Sequence, residues 1–315
     1  MNSMIMNNTG CFGCECFGRL KRVMVHRPGG ELEIINSENH YDWLFDSVPD
    51  INAFRDEHQA YTELLQSYGV EVLELVDYIE SPLQKLARMP NITYMHDTAV
   101  ISSKGAILSC MAWDSRRNEH IVVKEALQNI GIPIFSEFDE PDDAFEGCLL
   151  LSPKTVLVAE TERHTLKSIK KFITKTLSIF DEVFFVKIPK ARRYMHPDTI
   201  YNRITERVSL VYLPAFERTH LYKHGQVHKV DFKTCMQDRG VELINVSDSE
   251  QRRLACSFVP LEPGVIFHYD TALDDSTRKL LSQKGIEMIF FRPKALLAGG
   301  GSLRCLTLRL HRTMT

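Results

Sequence analysis

The sequence predicts an α/β protein with mixed sheets, and three observations carry that expectation. A unit of two short strands, a helix and a further strand recurs along the chain. The strands come in pairs ahead of the helices, which interrupts the strict β-α-β rhythm of a doubly wound sheet. With 315 residues, 44% of them hydrophobic, the chain can bury a sizeable core without disulfides or metals.

Residues 1–18 are rich in Asn, Met, Gly and Cys and lack periodicity, so they are expected to form a flexible N-terminal extension ahead of one domain, 19–315. Cys11, Cys14 and Cys16 have a C-x-x-C-x-C spacing that offers three thiolates to zinc. No fourth ligand stands out, and a tail with exposed thiols is the preferred reading. Arg22–His26 reads as a buried strand, Asn52–Tyr68 as a helix stopped by Gly69, and Val70–Val76 as a strand. Strands follow at Thr98–Ile101 and Ala106–Met111, then a helix at Arg117–Ile130 and a strand near Pro133–Phe135. Cys148–Leu151, Thr155–Ala159, a helix around Thr165–Ile179 and Glu182–Ile188 repeat the order. Val208–Tyr212, a helical Asp231–Arg239 and Val241–Val246 repeat it again, as do Val265–His268, helix Asp275–Gly285 and Glu287–Phe291.

Charge and composition exclude several functions. Lys plus Arg number 38 against 41 Asp plus Glu, a net −3, so no large nucleic-acid surface is expected. No apolar run reaches membrane-spanning length, and Met1–Gly10 lacks the basic and apolar regions of a secretory signal. A cytoplasmic protein with reduced cysteines is expected. No G-x-G-x-x-G follows a strand and no Walker A segment exists, so nucleotide binding has no support.

Four segments set ionisable residues beside apolar runs: Pro90–Asp97, Phe145-Glu146-Gly147, Met195–Thr199 and Gly299–Cys305. Cys305, His196 and the carboxylates Asp97, Glu146 and Asp198 within them make a set of one thiol, one imidazole and three carboxylates. Three glycines ahead of Cys305 would let substrate approach the sulfur closely. A Cys–His pair can generate a thiolate and then move a proton. Carboxylates beside it suit a planar cation held by bidentate hydrogen bonds. Thiolate attack on the central carbon of a guanidinium is the chemistry implied.

With these residues in view, the sequence resembles the guanidino-group modifying enzymes, the pentein superfamily of arginine deiminases, amidinotransferases and dimethylarginine dimethylaminohydrolases. The likeness opens at Val25-His26-Arg27-Pro28-Gly29, Leu44-Phe45-Asp46 and Glu57-His58. Pro90-Asn91 … His96-Asp97 is similar to the PN-x(4)-RD element, with His96 for the usual arginine. Phe145-Glu146-Gly147 is similar to EGGD, Glu162-Arg163 to the later ER pair, Met195–Thr199 to MH-x-DT, and Gly299–Cys305 to the nucleophile loop. The resemblance implies a five-bladed α/β propeller of ββαβ modules forming a single guanidino-modifying catalytic domain. It implies Cys305 as nucleophile, His196 as general acid and base, Glu146 orienting His196 and contacting the guanidinium, and Asp97 and Asp198 gripping the guanidinium. Asn91, Arg116 and Arg163 match positions that bind the amino-acid end of arginine. A small guanidino compound is the implied partner, with no cofactor and no metal, and a homo-oligomer stays open.

Three departures bear on substrate choice. The EGGD element reads Glu146-Gly147-Cys148-Leu149, the arginine often found among the loop glycines is Gly300, and Val76–Pro90 is too short for a helical insertion. Hydrolysis of L-arginine to L-citrulline and ammonia is the leading expectation. Dimethylarginine hydrolysis and amidino transfer are alternatives within the chemistry, and an arginine-binding protein with impaired catalysis is the non-enzyme alternative. Other features read as scaffold: Lys167–Lys175 as a solvated helix face, Arg192-Arg193 as surface charge, Trp113 as a packed wall, Cys148 as a core thiol. His220, His224 and His228 lie four apart but read as a loop, since Gly225 breaks the run.

Overall fold

Strand β1 (Arg19–Val25) buries Val23-Met24-Val25, as a strand with partners on both edges requires. It pairs in parallel with β2 (Glu71–Glu74), reached through helix α1 (Ile51–Ser67). Asp50 starts that helix by accepting from the Ala53 N–H. The computed structural model describes residues 11–14, 17–80, 83–138 and 143–314.

The same connection then recurs. β3 (Ala99–Ser102), β4 (Gly105–Leu108), α2 (Glu119–Asn129) and β5 (Ile134–Ser136) make one sheet unit. β6 (Leu149–Ser152), β7 (Thr155–Glu160), α3 (Leu166–Thr176) and β8 (Glu182–Lys187) make the next. β9 (Tyr201–Arg203) and β10 (Val208–Val211) come before a hairpin, β11 (Arg218–Lys223) and β12 (Gln226–Val230), which lengthens the preceding sheet along β8. α4 (Phe232–Asp238), capped by Asp231, returns the chain to β13 (Glu242–Asn245) beside β10. After α5 (Asp248–Arg252) come β14 (Val259–Glu262), β15 (Val265–Tyr269), α6 (Asp275–Gln283) and β16 (Glu287–Phe291). In each of these units the first two strands are antiparallel and the second and third are parallel.

The chain ends with β17 (Leu308–Thr313), antiparallel to β1. This strand supplies the missing first strand of the opening unit, so the last and first parts of the sequence share a sheet. Residues 11–14 are pinned alongside. The Gly13 N–H donates to the Leu310 carbonyl at 2.9 Å, the Cys14 N–H to that of Ile101 at 2.8 Å, and the Arg312 N–H to that of Gly13 at 2.8 Å. The C-x-x-C-x-C reading includes Cys16, which lies outside the described residues. Among those that are described, no cluster of His, Cys, Asp or Glu could hold a metal ion, and no helix is long and apolar enough to cross a membrane.

Several boundaries differ from the sequence expectation. β2 stops at Glu74, and the chain turns into a 3-10 helix at Leu75–Tyr78. His220, His224 and His228 lie in the β11–β12 hairpin rather than a loop, with His224 and Gly225 both at positive φ in its turn. Strands β9, β14 and β17 and the hairpin escaped the periodicity reading.

Candidate functional site

In every unit the chain just ahead of the first strand carries a residue at, or directly behind, one narrow cavity. Asp97 precedes β3, Glu146 precedes β6, His196 and Asp198 precede β9, Ser257 precedes β14, and Cys305 precedes β17. Side chains far apart in sequence thus meet at one end of five strands. Asn91, Asp97, Arg116, Arg163, Arg192, His196, Asp198, Ser257 and Cys305 all line the cavity, and Glu146 supports it from behind.

His196 is the hub. Its Nε2 lies 2.9 Å from Glu146 Oε2 and its Nδ1 lies 3.5 Å from Asp97 Oδ1. Burial on its own would push this imidazole down, but Asp97, then Glu146, then Asp198 raise it above its ordinary 6.5. Glu146 is also fully buried. Burial would raise its carboxyl, yet Arg163, at 3.4 Å, and His196 hold it well below the usual range. The Ala112 N–H donates to its other oxygen at 2.8 Å. His164, which the sequence reading did not single out, accepts from the Glu146 backbone N–H at 3.2 Å. It is two residues into the turn that follows Glu162, and burial lowers its pKa to about 4, so it is a neutral acceptor. That position beside the Glu162-Arg163 pair was its only signal.

Asp97 and Asp198 both line the cavity, and Asp97 Oδ1, 3.5 Å from His196 Nδ1, and Asp198 Oδ2, which has Arg304 and His96 beside it, are buried without an aligned hydrogen-bond donor. A buried carboxylate oxygen with no donor is costly, so the pair forms a receptor for N–H groups. Arg116 donates to Asp97 Oδ2 at 2.6 Å and to Glu119 at 2.8–3.1 Å, and is 3% exposed. Its guanidinium is thus engaged by protein carboxylates, and it holds Asp97 in place. Burial raises the Glu119 carboxyl to about 7 against the pull of Arg116. Asp198 has the Arg304 Nε at 3.0 Å and the His96 Nε2 at 3.5 Å. Burial would raise its carboxyl, but His96 and Arg304 hold it low.

Cys305 is partly exposed and its Sγ lies 3.4 Å from Ser302 Oγ. Burial first, then Asp97 and Asp198, push the thiol up to about 12. The resting sulfur is therefore held as a neutral thiol in the same cavity as His196.

The glycines ahead of Cys305 have a different task from the one expected. A Cβ on Gly299 would run into the Tyr94 hydroxyl and one on Gly301 into the Tyr94 ring, so this loop is glycine because Tyr94 packs on it. Gly300 has φ +69, and a side chain there would meet Asp46 and Arg192 Nη2, the latter at 3.0 Å. Arg192 donates to the Leu44 carbonyl and to Asp46 Oδ1, each at 2.8 Å. It lines the cavity, whereas the sequence reading left it as surface charge. Arg163 lies 5.7 Å over the half-exposed ring of Trp113. Asn91 Nδ2 donates to the Trp43 carbonyl at 2.7 Å. Cys148 is a core thiol as expected, 4% exposed.

Helix α1 anchors the chain on either side of the loop Gly299–Gly301 that leads to Cys305. Glu57 accepts from the N–H groups of Lys294, Ala295 and Leu296 at 2.9–3.1 Å, and the Tyr61 hydroxyl donates to the Leu303 carbonyl at 2.9 Å.

The chain is similar to curated arginine deiminases. It is 24% identical to that of Mycoplasma capricolum, over 94% of this chain and 95% of the relative, and 23% identical to that of Staphylococcus aureus strain MRSA252, over 94% and 96%. Among solved structures it resembles AgrE in complex with ornithine and NAD+ (TM-score 0.70, 17% identity), covering 93% of this chain but only 40% of AgrE. It also resembles the N-terminal domain of ArgZ, a cyanobacterial arginine dihydrolase (TM-score 0.70, 16% identity, 92% of this chain and 98% of that one). A dimethylarginine dimethylaminohydrolase adduct matches as well (TM-score 0.66, 16% identity, 92% and 99%). These likenesses establish a mixed α/β fold of the pentein kind. The family model for arginine deiminase matches residues 84–312, most of the chain, and the protein belongs to the arginine deiminase family, an arginine deiminase-like hydrolase of guanidino groups.

Proposed function

We propose that the protein hydrolyses free L-arginine to L-citrulline and ammonia at Cys305. The observation that carries this reading is the pair of buried carboxylates, Asp97 and Asp198, lining one cavity with the Cys305 thiol and with His196, whose pKa its carboxylate neighbours raise. A guanidinium is planar, cationic and rich in N–H donors, so it satisfies both carboxylates at once.

Its arrival also changes the acid–base balance. Neutralising the two carboxylates removes the charges that hold the Cys305 proton, and the cation itself favours a thiolate, so the thiol proton passes to solvent and is taken up again by the sulfur when citrulline leaves. The sulfur then attacks the guanidinium carbon, forming a tetrahedral adduct. His196 gives its proton to one terminal nitrogen, which leaves as ammonia, and the amidino group stays on sulfur. Neutral His196 next takes a proton from water as the water oxygen bonds to the same carbon. Collapse expels the Cys305 thiolate, yielding citrulline. Arginine and water have then become citrulline and ammonia.

Glu146 orients His196, and Arg116 acts on the reaction by holding Asp97. Arg163, Asn91 and Arg192, which line the same cavity, suit the charged amino-acid end. The reading also takes 19–315 as one catalytic domain in a cytoplasmic enzyme. It takes the five ββαβ units as blades of a propeller, supported by the way their first strands reach one cavity and by the β17–β1 pairing. The test is a substrate panel of arginine, N-methylated arginines and agmatine with citrulline, ornithine and ammonia all quantified. Equal citrulline and ammonia from arginine, with agmatine much poorer, is the expected result. Ornithine as the product, or citrulline from methylated arginine alone, would overturn the assignment.

A further inference from the structure

Beyond Asp198, toward the other end of the same first strands, lies a second cavity that shares no lining residue with the first. Four arginines line it: Arg203, Arg304, Arg309 and Arg312. Among the described residues no carboxylate does. Arg304 is 7% exposed, and its Nε, though 3.0 Å from Asp198, is not aligned to donate to it. Arg309 donates through Nη2 to His96 Nδ1 at 3.0 Å, while its Nη1 is buried without an acceptor. The Nε of Arg203 is likewise buried without one. Guanidinium groups desolvated together repel one another, and each unsatisfied N–H adds to the cost. Burial, and then Arg304 and Arg312, hold the Arg309 guanidinium well below its ordinary pKa. The free volume is about 40 Å³, room for about three waters or one small anion. Arg203 and Arg309 are partly exposed, which leaves a route to solvent.

We propose that this cavity is an anion site for a small oxyanion of the phosphate class, held by Arg304 and Arg309, and that its occupancy is relayed to Asp198. The relay is short. Neutral His96 accepts from Arg309 at Nδ1 and faces Asp198 with Nε2, and Arg304 lies against the same carboxylate. An anion that offsets these cations leaves more of the Asp198 charge for a guanidinium. The relay rests on the substrate-gripping role of Asp198 given above; the binding does not.

Thermal unfolding of the full chain in inorganic phosphate, against chloride at matched pH and ionic strength, tests the binding. A saturable rise in Tm of roughly 2–4 °C is expected, and Arg309→Leu should lose it. No saturable rise, or an equal rise in both proteins, would overturn the site. Should Arg309→Leu fail to fold, equilibrium dialysis of labelled phosphate against wild type and Arg309→Lys decides. About one phosphate per wild-type chain, bound more weakly by the lysine variant that lacks the planar fork, supports the proposal; no bound phosphate defeats it. The relay predicts that phosphate lowers KM for arginine about fivefold in wild type. An unchanged KM with phosphate bound would refute the relay and leave the catalytic assignment intact, since the product panel tests that separately.

Discussion

At Gly300 the nucleophile loop lacks a side chain, and the space it would use is occupied by the Arg192 guanidinium. Arg192, four residues before His196 and paired with Asp46, reaches that place from a separate turn. Arg192→Ala is expected to raise KM for arginine about ten- to hundredfold with a smaller effect on kcat, the loss of one charge-assisted contact. Steady-state kinetics with arginine and agmatine checks this, because agmatine lacks the carboxylate and should be nearly indifferent. The pH profile belongs to the same scale. His196 must carry its proton into the reaction, and its folded pKa is raised by Asp97, Glu146 and Asp198 against the effect of burial. The rate kcat/KM should therefore fall on the alkaline side with an apparent pKa above 6.5, a property of the cluster as a whole. Glu146→Gln removes one raising charge and should move that limb to lower pH; an unmoved limb would count against the pairing. The stability that His196 gains from its carboxylates is full below its unfolded pKa and is lost as pH rises through the folded one. That gained by Glu146 and Asp198 is present above the unfolded carboxylate range and lost as pH falls, since their folded values are depressed.

Among elements, α1 has a task that its amphipathic pattern did not announce. Its apolar face packs the core through Phe54, Tyr61 and Leu65, while Glu57 accepts three backbone N–H groups that lead into the nucleophile loop. Glu57→Ala should lower stability by about 1–3 kcal/mol, because those donors lose their acceptor. It should also lower kcat by letting Cys305 drift. Denaturant melts and kinetics on one preparation separate the two effects. The elements that could be read from sequence are those with a strong local pattern. Helix α1 was expected over Asn52–Tyr68 and is found at Ile51–Ser67, and β7, β8, β15 and β16 are apolar runs bounded by turn residues. β12 escaped because Gln226–Lys229 is exposed and carries no buried alternation. β9 has three residues, too few for a period to register. Of the site, Cys305, His196, Glu146, Asp97 and Asp198 were legible because each lies in a motif-like segment. Arg192, His164 and Ser257 were not, since their places depend on packing between distant turns.

The whole molecule depends on a join between its two ends. β17 directly follows Cys305 and pairs with β1, so the strand that closes the first unit also positions the nucleophile. Leu310, fully buried in β17, is the residue to probe. Leu310→Ala is expected to cost about 2–5 kcal/mol in a denaturant melt, through lost burial and the cavity left behind. Activity per folded molecule should fall much less, which distinguishes a scaffold strand from a reacting one. At this scale the central claim is that one sulfur, brought to the site by that closure, carries the reaction. The most direct measurement is arginine turnover, followed as citrulline, by wild type and Cys305→Ser at equal folded concentration. The account predicts a loss of at least about a thousandfold, as for removal of an activated nucleophile. A serine variant that keeps more than about a tenth of the wild-type rate, a loss of less than roughly 1.4 kcal/mol in barrier, would contradict it.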